Sequence, residues 1–182
     1  AKTAEAAVNL RKQFEEHTVQ KIYKARISKA DSGISAETIT AGSIDLPLSP
    51  DYDERPRQKV DFIQGKSAHT DYEVVSNNPD GTSDILLYPQ TGHTHQLRVH
   101  CAHMLGLGRP IVGDLLYGAH TANCFQEMPW ECQWQHQCGD ISRLCLHALS
   151  ITFIHPLTGT PQTFTSATQS FTTATQSLTT VT

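Results

Sequence analysis

The sequence predicts an α/β (α+β) domain, and three stretches of the chain support this prediction. Residues 3–16 are good helix formers with their larger apolar side chains on one face. Residues 19–27 alternate between apolar and polar side chains, which is typical of a half-buried strand. Two β-prone runs, 71–75 and 84–88, flank a cluster of turn-forming residues at 77–81, which predicts a β-hairpin.

The other elements have weaker signals. Thr3 is in position to cap the first helix. Residues 31–66 are rich in Gly, Pro, Ser and Asp, so we expect a single short strand over 43–48 within long loops. Near the end of the chain, an apolar stretch over 144–154 and a run over 161–165 predict two strands joined by a turn.

A second helix is predicted after Gly92. Leu97, Cys101 and Met104 recur there at four- and three-residue spacing, and a pair of glycines and a proline follow them. Ile111 and the valine after it predict a short buried strand or turn.

Size and composition bound the class of protein. A chain of 182 residues lies within the usual size of one domain, and no apolar run approaches the roughly 20 residues of a membrane helix, so we expect a soluble protein. The net charge of −4 gives no whole-chain basic signature, so a nucleic-acid partner would have to meet a local patch. Five cysteines are an odd number in a chain too large to need disulfides, which indicates a reducing cytoplasm.

Two side chains are unusual for a purely structural domain. Lys21 shares the inward face of its strand with Tyr23, where a lysine is costly unless an anion meets it. The alternative is a core tyrosine beside a lysine that extends its ammonium to water. Arg98 is rotated about 100° from its core-facing neighbour Leu97, so it needs an anionic partner or solvent.

Three motifs contain these residues, and together they resemble the RluA-type family of RNA pseudouridine synthases. They are Lys21-Ile22-Tyr23-Lys24-Ala25, Thr91-Gly92-His93-Thr94-His95-Gln96-Leu97-Arg98-Val99-His100 and Pro110-Ile111-Val112-Gly113-Asp114-Leu115-Leu116-Tyr117-Gly118. The resemblance continues through Leu146-His147-Ala148 and Phe153-Ile154-His155-Pro156-Leu157-Thr158-Gly159, so it spans about residues 1 to 160.

The resemblance implies a fold and an activity. The fold is a mixed, mainly antiparallel sheet with flanking helices, forming a catalytic domain over 1–165 that is followed by a low-complexity tail over 166–182. The activity is the isomerisation of uridine to pseudouridine in structured ribosomal or transfer RNA, with the target uridine flipped out of its stack. RNA is therefore the expected partner. The reaction uses no metal or redox chemistry, so we expect no cofactor and no metal. We also expect a monomer without a membrane partner.

The resemblance also implies roles for individual residues. Tyr23 stacks on the target base and takes its C5 proton, and Lys21 lies beside the pocket. Leu97 packs against the base, while Arg98 holds the catalytic aspartate ionised and oriented through a charge-assisted pair. We give Asp114 a mainly structural role, since its motif supports the family's site and does not supply the attacking carboxylate.

The start of the second helix is a candidate RNA contact. His93, Thr94, His95 and Gln96 lie where free backbone amides and short polar side chains suit phosphate oxygens. Thr94 could equally be the helix cap. The family usually has arginine in place of His93, so a permanent cation is replaced by a titratable one.

The family's catalytic aspartate belongs to an Arg-Leu-Asp segment, followed by Thr-Ser-Gly, that normally comes just before an Ala-Lys pair like Ala1-Lys2. This segment is not among the 182 residues, so we expect this polypeptide to be inactive by itself. One alternative is a non-catalytic RNA-binding domain. The other is a structural zinc module built from a cluster without a Cys-x-x-Cys pair: His120, Cys124, Cys132, His136 and Cys138.

Overall fold

The computed structural model describes residues 1–29, 39–118 and 143–167. In chain order, its elements are α1 (Ala4–Glu15), β1 (Gln20–Ile27), β2 (Ala41–Asp45), β3 (Leu48–Pro50), β4 (Gln58–Val60), β5 (His69–Asn77), β6 (Ser83–Pro89), α2 (Gln96–Ala102), β7 (Leu146–Ile154) and β8 (Pro161–Thr165). The predicted α+β class with a mainly antiparallel sheet is confirmed.

The six main strands form one sheet in the order β2-β5-β6-β1-β7-β8, and β3 and β4 form a separate two-stranded sheet. Each pairing between these described strands is antiparallel. Strand β1 lies inside the larger sheet, between β6 and β7. Its residues Ala25 and Ile27 are therefore fully buried, while its amino-terminal half is only partly covered.

Helix α2 packs on this sheet and closes the main core. Leu97 and Cys101, four residues apart on the helix, are both buried in a cluster with β1 and with Ile85 and Leu87 of β6. The helical spacing that predicted this face is thus confirmed for these two positions. No helix within the described ranges is long and apolar enough to cross a membrane.

The predicted end of α2 is wrong. The helix stops at Ala102, and Met104 lies beyond it with 80% of its surface exposed. After His103 the chain folds back over the helix end, where Leu107 donates a backbone hydrogen bond to the His100 carbonyl. Gly106 permits this close return, because a Cβ there would lie 2.0 Å from the same carbonyl oxygen.

The region expected to hold one strand over 43–48 contains more structure. The chain forms β2, breaks at Leu46 and Pro47, and continues as β3, which pairs with β4 in a small hairpin. An Asp61 carboxylate after β4 accepts two backbone N–H bonds and fixes the following turn. The β3–β4 hairpin was not predicted from the sequence.

The other predicted elements are confirmed. Thr3 caps α1, since its hydroxyl accepts a bond of 3.2 Å from the amide of Ala6. The expected hairpin is formed by β5 and β6. Ile111 is buried and forms an isolated bridge with Ile27, and β8 has the expected bounds. The low-complexity tail from residue 168 onward lies outside the described residues.

Candidate active site

Strand β1 places Tyr23 and Lys21 where the sheet's register is interrupted. Opposite Ile22 and Tyr23, strand β7 carries one extra residue, Leu149, so its pairing with β1 shifts there, while Tyr23 keeps its place opposite Leu87 of β6. Bulges of this kind are common beside active sites. Tyr23 is partly buried and packs against the core cluster that contains Leu97. The structure therefore brings these two predicted residues to the same core cluster.

Lys21 is tied to the loop that precedes α2. Its ammonium donates a hydrogen bond of 3.3 Å to the carbonyl of Thr91, and partial burial lowers its pKa. The loop is held from the other side by Gln96, whose amide oxygen accepts bonds from the Thr91 hydroxyl and from the backbone of His93. The strand lysine and the α2 loop are thus parts of one site.

Gln96 supports this loop from inside the protein. Only 3% of its surface is exposed, and its amide nitrogen donates to the His69 carbonyl and the Thr70 hydroxyl. With both ends of the amide bonded inside the protein, the side chain has no free group for RNA. In this structure the Gln96 side chain supports the loop, and its expected RNA contact stays a prediction.

Arg98 forms a two-pronged ion pair with Asp114. Its Nε lies 2.8 Å from one carboxylate oxygen and its Nη2 lies 2.6 Å from the other. The Asp114 side chain is completely buried, and that of Arg98 is 16% exposed. The hydrogen bonds that Arg98 donates to Asp114 raise the pKa of Arg98. The expected anionic partner of Arg98 is thus found, although it is a different carboxylate from the one that the family resemblance implies.

The Asp114 carboxylate has further partners in its own turn. One oxygen also accepts backbone N–H bonds of 2.9 Å from Leu116 and 3.0 Å from Tyr117. Gly113 makes the turn possible, because its φ is +77° and a Cβ there would lie 2.0 Å from the Arg143 carbonyl oxygen. The structural role expected for Asp114 agrees with this arrangement.

Tyr117 connects Arg98 to two other elements. The Arg98 guanidinium carbon lies 5.1 Å from the centre of the Tyr117 ring, and the Arg57 guanidinium carbon lies 5.5 Å from it. The Tyr117 hydroxyl accepts a bond of 2.8 Å from the backbone of Gln58 and lies 2.9 Å from Nδ1 of His95. Burial and the nearby Arg98 charge lower the pKa of His95.

The remaining predicted residues lie in the turn before α2. His95 occupies the N-cap position with φ of 55° and no side-chain cap bond, so Thr94 is not the cap. Thr94 is exposed, and Nε2 of His93 bonds the Ser67 carbonyl at 2.8 Å. His93 and Thr94 thus face a groove beside the β3–β4 hairpin, while His95 faces Tyr117.

Sequence reasoning missed Tyr117 and the partner of Arg98. The Arg98–Asp114 pair joins residues 16 positions apart across a loop, and no periodic pattern predicts such a contact. The sequence gives one indication of this pair: Arg98 and Asp114 each lie in a motif that resembles the same family. No cluster of three or more metal-binding side chains occurs within the described ranges, and the proposed zinc ligands at 120–138 lie outside those ranges.

Comparison with known proteins agrees with the motifs. Residues 1–103 match the family model described as RNA pseudouridylate synthase. The chain is 40% identical over 164 residues to the dual-specificity RNA pseudouridine synthase RluA of Yersinia pestis, covering 90% of this chain and 68% of that protein. The RluA of Escherichia coli K12 is also 40% identical over 164 residues, and the chain spans 64% of its length.

Solved structures agree as well. Human RNA Pseudouridylate Synthase Domain Containing 1 has a TM-score of 0.66 and 26% identity, covering 92% of this chain and 62% of that one. Human RNA Pseudouridylate Synthase Domain Containing 4 shares the fold, with a TM-score of 0.60 at 20% identity over 93% of this chain and 65% of that one. The chain belongs to the RNA pseudouridylate synthase family.

Proposed function

We propose that the protein acts as an RNA pseudouridine synthase on uridines in ribosomal or transfer RNA, with Tyr23 and Arg98 as its catalytic residues. The observation that carries the proposal is the arrangement around α2. A buried acid fixes Arg98, the residue before it packs into the core cluster that Tyr23 contacts, and the preceding loop is held by Lys21.

The reaction rearranges bonds without a net change in composition. The bond between N1 of uracil and C1′ of ribose breaks, the base turns, and a bond forms between C5 and C1′. The C5 proton leaves and N1 gains a proton, so the proton transfers need one base and one proton donor. In this proposal the Tyr23 ring stacks on the uracil, and its hydroxyl oxygen receives the C5 proton as it gives up its own proton, which balances the proton gained at N1.

Arg98 has an edge left for a second carboxylate. Asp114 occupies its Nε and Nη2, and Nη1 has no hydrogen bond to a residue that the structure describes. A guanidinium can fork onto an anion through either edge, so Nη1 can bind and orient a further acid. In our proposal that acid is the aspartate of the family's Arg-Leu-Asp segment, which attacks or stabilises C1′.

Asp114 itself is unsuited to attack. Its side chain has no exposed surface, and its two oxygens accept four N–H bonds from Arg98, Leu116 and Tyr117. A nucleophilic carboxylate must reach the ribose with a free oxygen. Asp114 would have to lose at least one of these bonds and open the core to do so.

The test is to map pseudouridine in ribosomal and transfer RNA from cells with and without the gene. Loss of pseudouridine at defined positions, restored by the gene but not by a Tyr23→Phe form, is the expected result. An unchanged map would overturn the proposal.

The 182-residue chain should be assayed in parallel on an RNA stem-loop, alone and extended by an Arg-Leu-Asp segment, with product expected only from the extended form.

A further inference from the structure

A groove of about 450 Å³ lies between the β3–β4 hairpin and the turn before α2. This volume is within the range of small-ligand sites, which suits one or two nucleotides and excludes a double helix. Its lining is mainly polar and comprises Leu48, Ser49, Pro50, Tyr52, Gln58, Lys59, Asp61, Gln64, Lys66, His93 and Thr94.

The groove is connected to the candidate active site by direct contacts. Gln58 lines the groove, and its backbone N–H donates to the Tyr117 hydroxyl at 2.8 Å. The ring of the same tyrosine also contacts Arg98, whose guanidinium carbon lies 5.1 Å from the ring centre. His93 lies two residues after Thr91, the acceptor of the Lys21 bond. Tyr117 therefore links Arg98 to the wall of the groove.

The charges of the lining favour an anion. Lys59 and Lys66 are both exposed, and neither forms an ion pair within 4.0 Å with a residue that the structure describes. Asp61 is the one acidic residue of the lining. Its carboxylate accepts two backbone N–H bonds from its own turn and one bond from the Ser49 hydroxyl, and these bonds, together with the nearby Lys59 charge, lower its pKa. The two ammonium groups thus remain available to a ligand.

An aromatic ring stands at the same groove. Tyr52 lies in the loop between β3 and β4, and 69% of its surface is exposed. The guanidinium of Arg55 lies 5.2 Å from the ring centre and holds one side of it. Exposed aromatic rings beside cationic grooves are the usual stacking platforms for unpaired bases.

We propose that this groove binds the single-stranded RNA segment adjacent to the target uridine. Lys59 and Lys66 bind its phosphodiester oxygens, and Tyr52 stacks on one base. The identity of the ligand as RNA rests on the proposed function, whereas the site itself rests on the groove, its two lysines and its exposed ring.

The experiment measures binding of a fluorescein-labelled single-stranded RNA oligonucleotide to the 182-residue chain by anisotropy at several salt concentrations. The double variant Lys59→Ala/Lys66→Ala should bind about tenfold more weakly, and its salt slope should fall by about 1.4, because two single-strand phosphate contacts are lost. The matched control is Lys2→Ala/Lys29→Ala, which removes the same charge from two exposed lysines that likewise form no ion pair within 4.0 Å with a described residue. Equal losses in the two double variants would show a general charge effect and overturn the proposal.

The stacking contact has its own pair of variants. Tyr52→Ala should weaken binding about fivefold or more, while Tyr52→Phe keeps the ring and should retain the affinity of the parent. Tyr52 is exposed, so neither change should disturb folding. Equal affinity of the two variants would overturn the stacking. If unlabelled polyglutamate displaces the RNA as well as unlabelled RNA does, the groove binds any polyanion and its assignment to RNA is overturned. Because these readouts need no turnover, they can fail while pseudouridine formation holds, or hold while it fails.

Discussion

Replacing Asp114 by asparagine should destabilise the protein far more than a typical surface substitution. The change keeps the shape of the side chain but removes the charge that Arg98 pairs with. An asparagine that still accepts the Leu116 and Tyr117 N–H groups turns its own NH₂ toward the guanidinium, so two donors face each other. Arg98 then lacks its partner in a largely buried position.

The magnitude follows from the burial of the two partners. Breaking a buried ion pair on one side typically costs about 3–5 kcal/mol. Asp114 has no exposed side-chain surface, but Arg98 is 16% exposed and can recover some hydration, so we expect about 3 kcal/mol. For a domain of this size, that loss corresponds to a fall in Tm of roughly 6–12 °C.

A double-mutant cycle measured by urea unfolding isolates the pair. Arg98→Met leaves a buried carboxylate without its cation, and Arg98→Met/Asp114→Asn removes both charges. The double variant should therefore be at least about 2 kcal/mol more stable than the sum of the two single losses predicts. The control cycle is Arg11→Met with Glu15→Gln, an exposed pair on α1, whose coupling should stay below about 0.5 kcal/mol. Additive losses at 98 and 114, or an Asp114→Asn form as stable as the parent, would refute the reasoning.

Three further changes test the site and its support. Tyr23→Phe, in a form of the protein that makes pseudouridine, should lower turnover about 10²-fold or more, because the proton acceptor is lost. Its Tm and RNA affinity should stay near the parent values. Turnover equal to that of the parent would show that Tyr23 does not transfer the proton. Burial lowers the pKa of His100 to about 4, so its neutral form contributes up to about 3 kcal/mol above pH 6.5 that is lost as the pH falls toward 4. His100→Gln should flatten the decline in urea-measured stability over this range, and an unchanged slope would contradict the assignment. Gly113→Ala should cost about 3 kcal/mol or more, since φ is positive and the new Cβ meets the Arg143 carbonyl, whereas Gly159→Ala, with positive φ but open space, should cost about 1 kcal/mol; similar losses in thermal unfolding would show that the close contact is unimportant.

The elements that the sequence predicted well have either a long period or a clear local signal. Strand β1 alternates along its length, the β5–β6 hairpin has two β-prone runs around a cluster of turn residues, and α1 has both a cap and helix-forming composition. The β3–β4 hairpin has three residues in each strand, which is too short for a period of two to appear. The end of α2 escaped for another reason, since Met104 continues the apolar spacing while the backbone has already turned.

The two halves of the candidate site were predictable to different degrees. Tyr23 and Lys21 lie two residues apart on one strand, so alternation alone puts them on a common face. Arg98 could be recognised as a helix arginine in need of an anion, but the choice between anions depends on how the loop after α2 returns. That return depends on close backbone contacts at Gly106 and Gly113. A pattern of side chains in the sequence does not reveal such contacts.

The Arg98–Asp114 pair uses only part of the guanidinium, so in the proposed reaction Arg98 can still bind a second acid. A guanidinium anchored through Nε and Nη2 has lost its side-chain freedom during folding, so orienting a second acid at Nη1 requires no further ordering of the arginine. The Tyr117 ring lies beside the same guanidinium, with its centre 5.1 Å from the guanidinium carbon. A lysine at this position could not bind two acids in fixed directions, because its ammonium is a point charge without a fork. The buried aspartate therefore contributes to the proposed chemistry by holding the arginine, and the bonds that make it a good anchor are the same ones that exclude it as the attacking group.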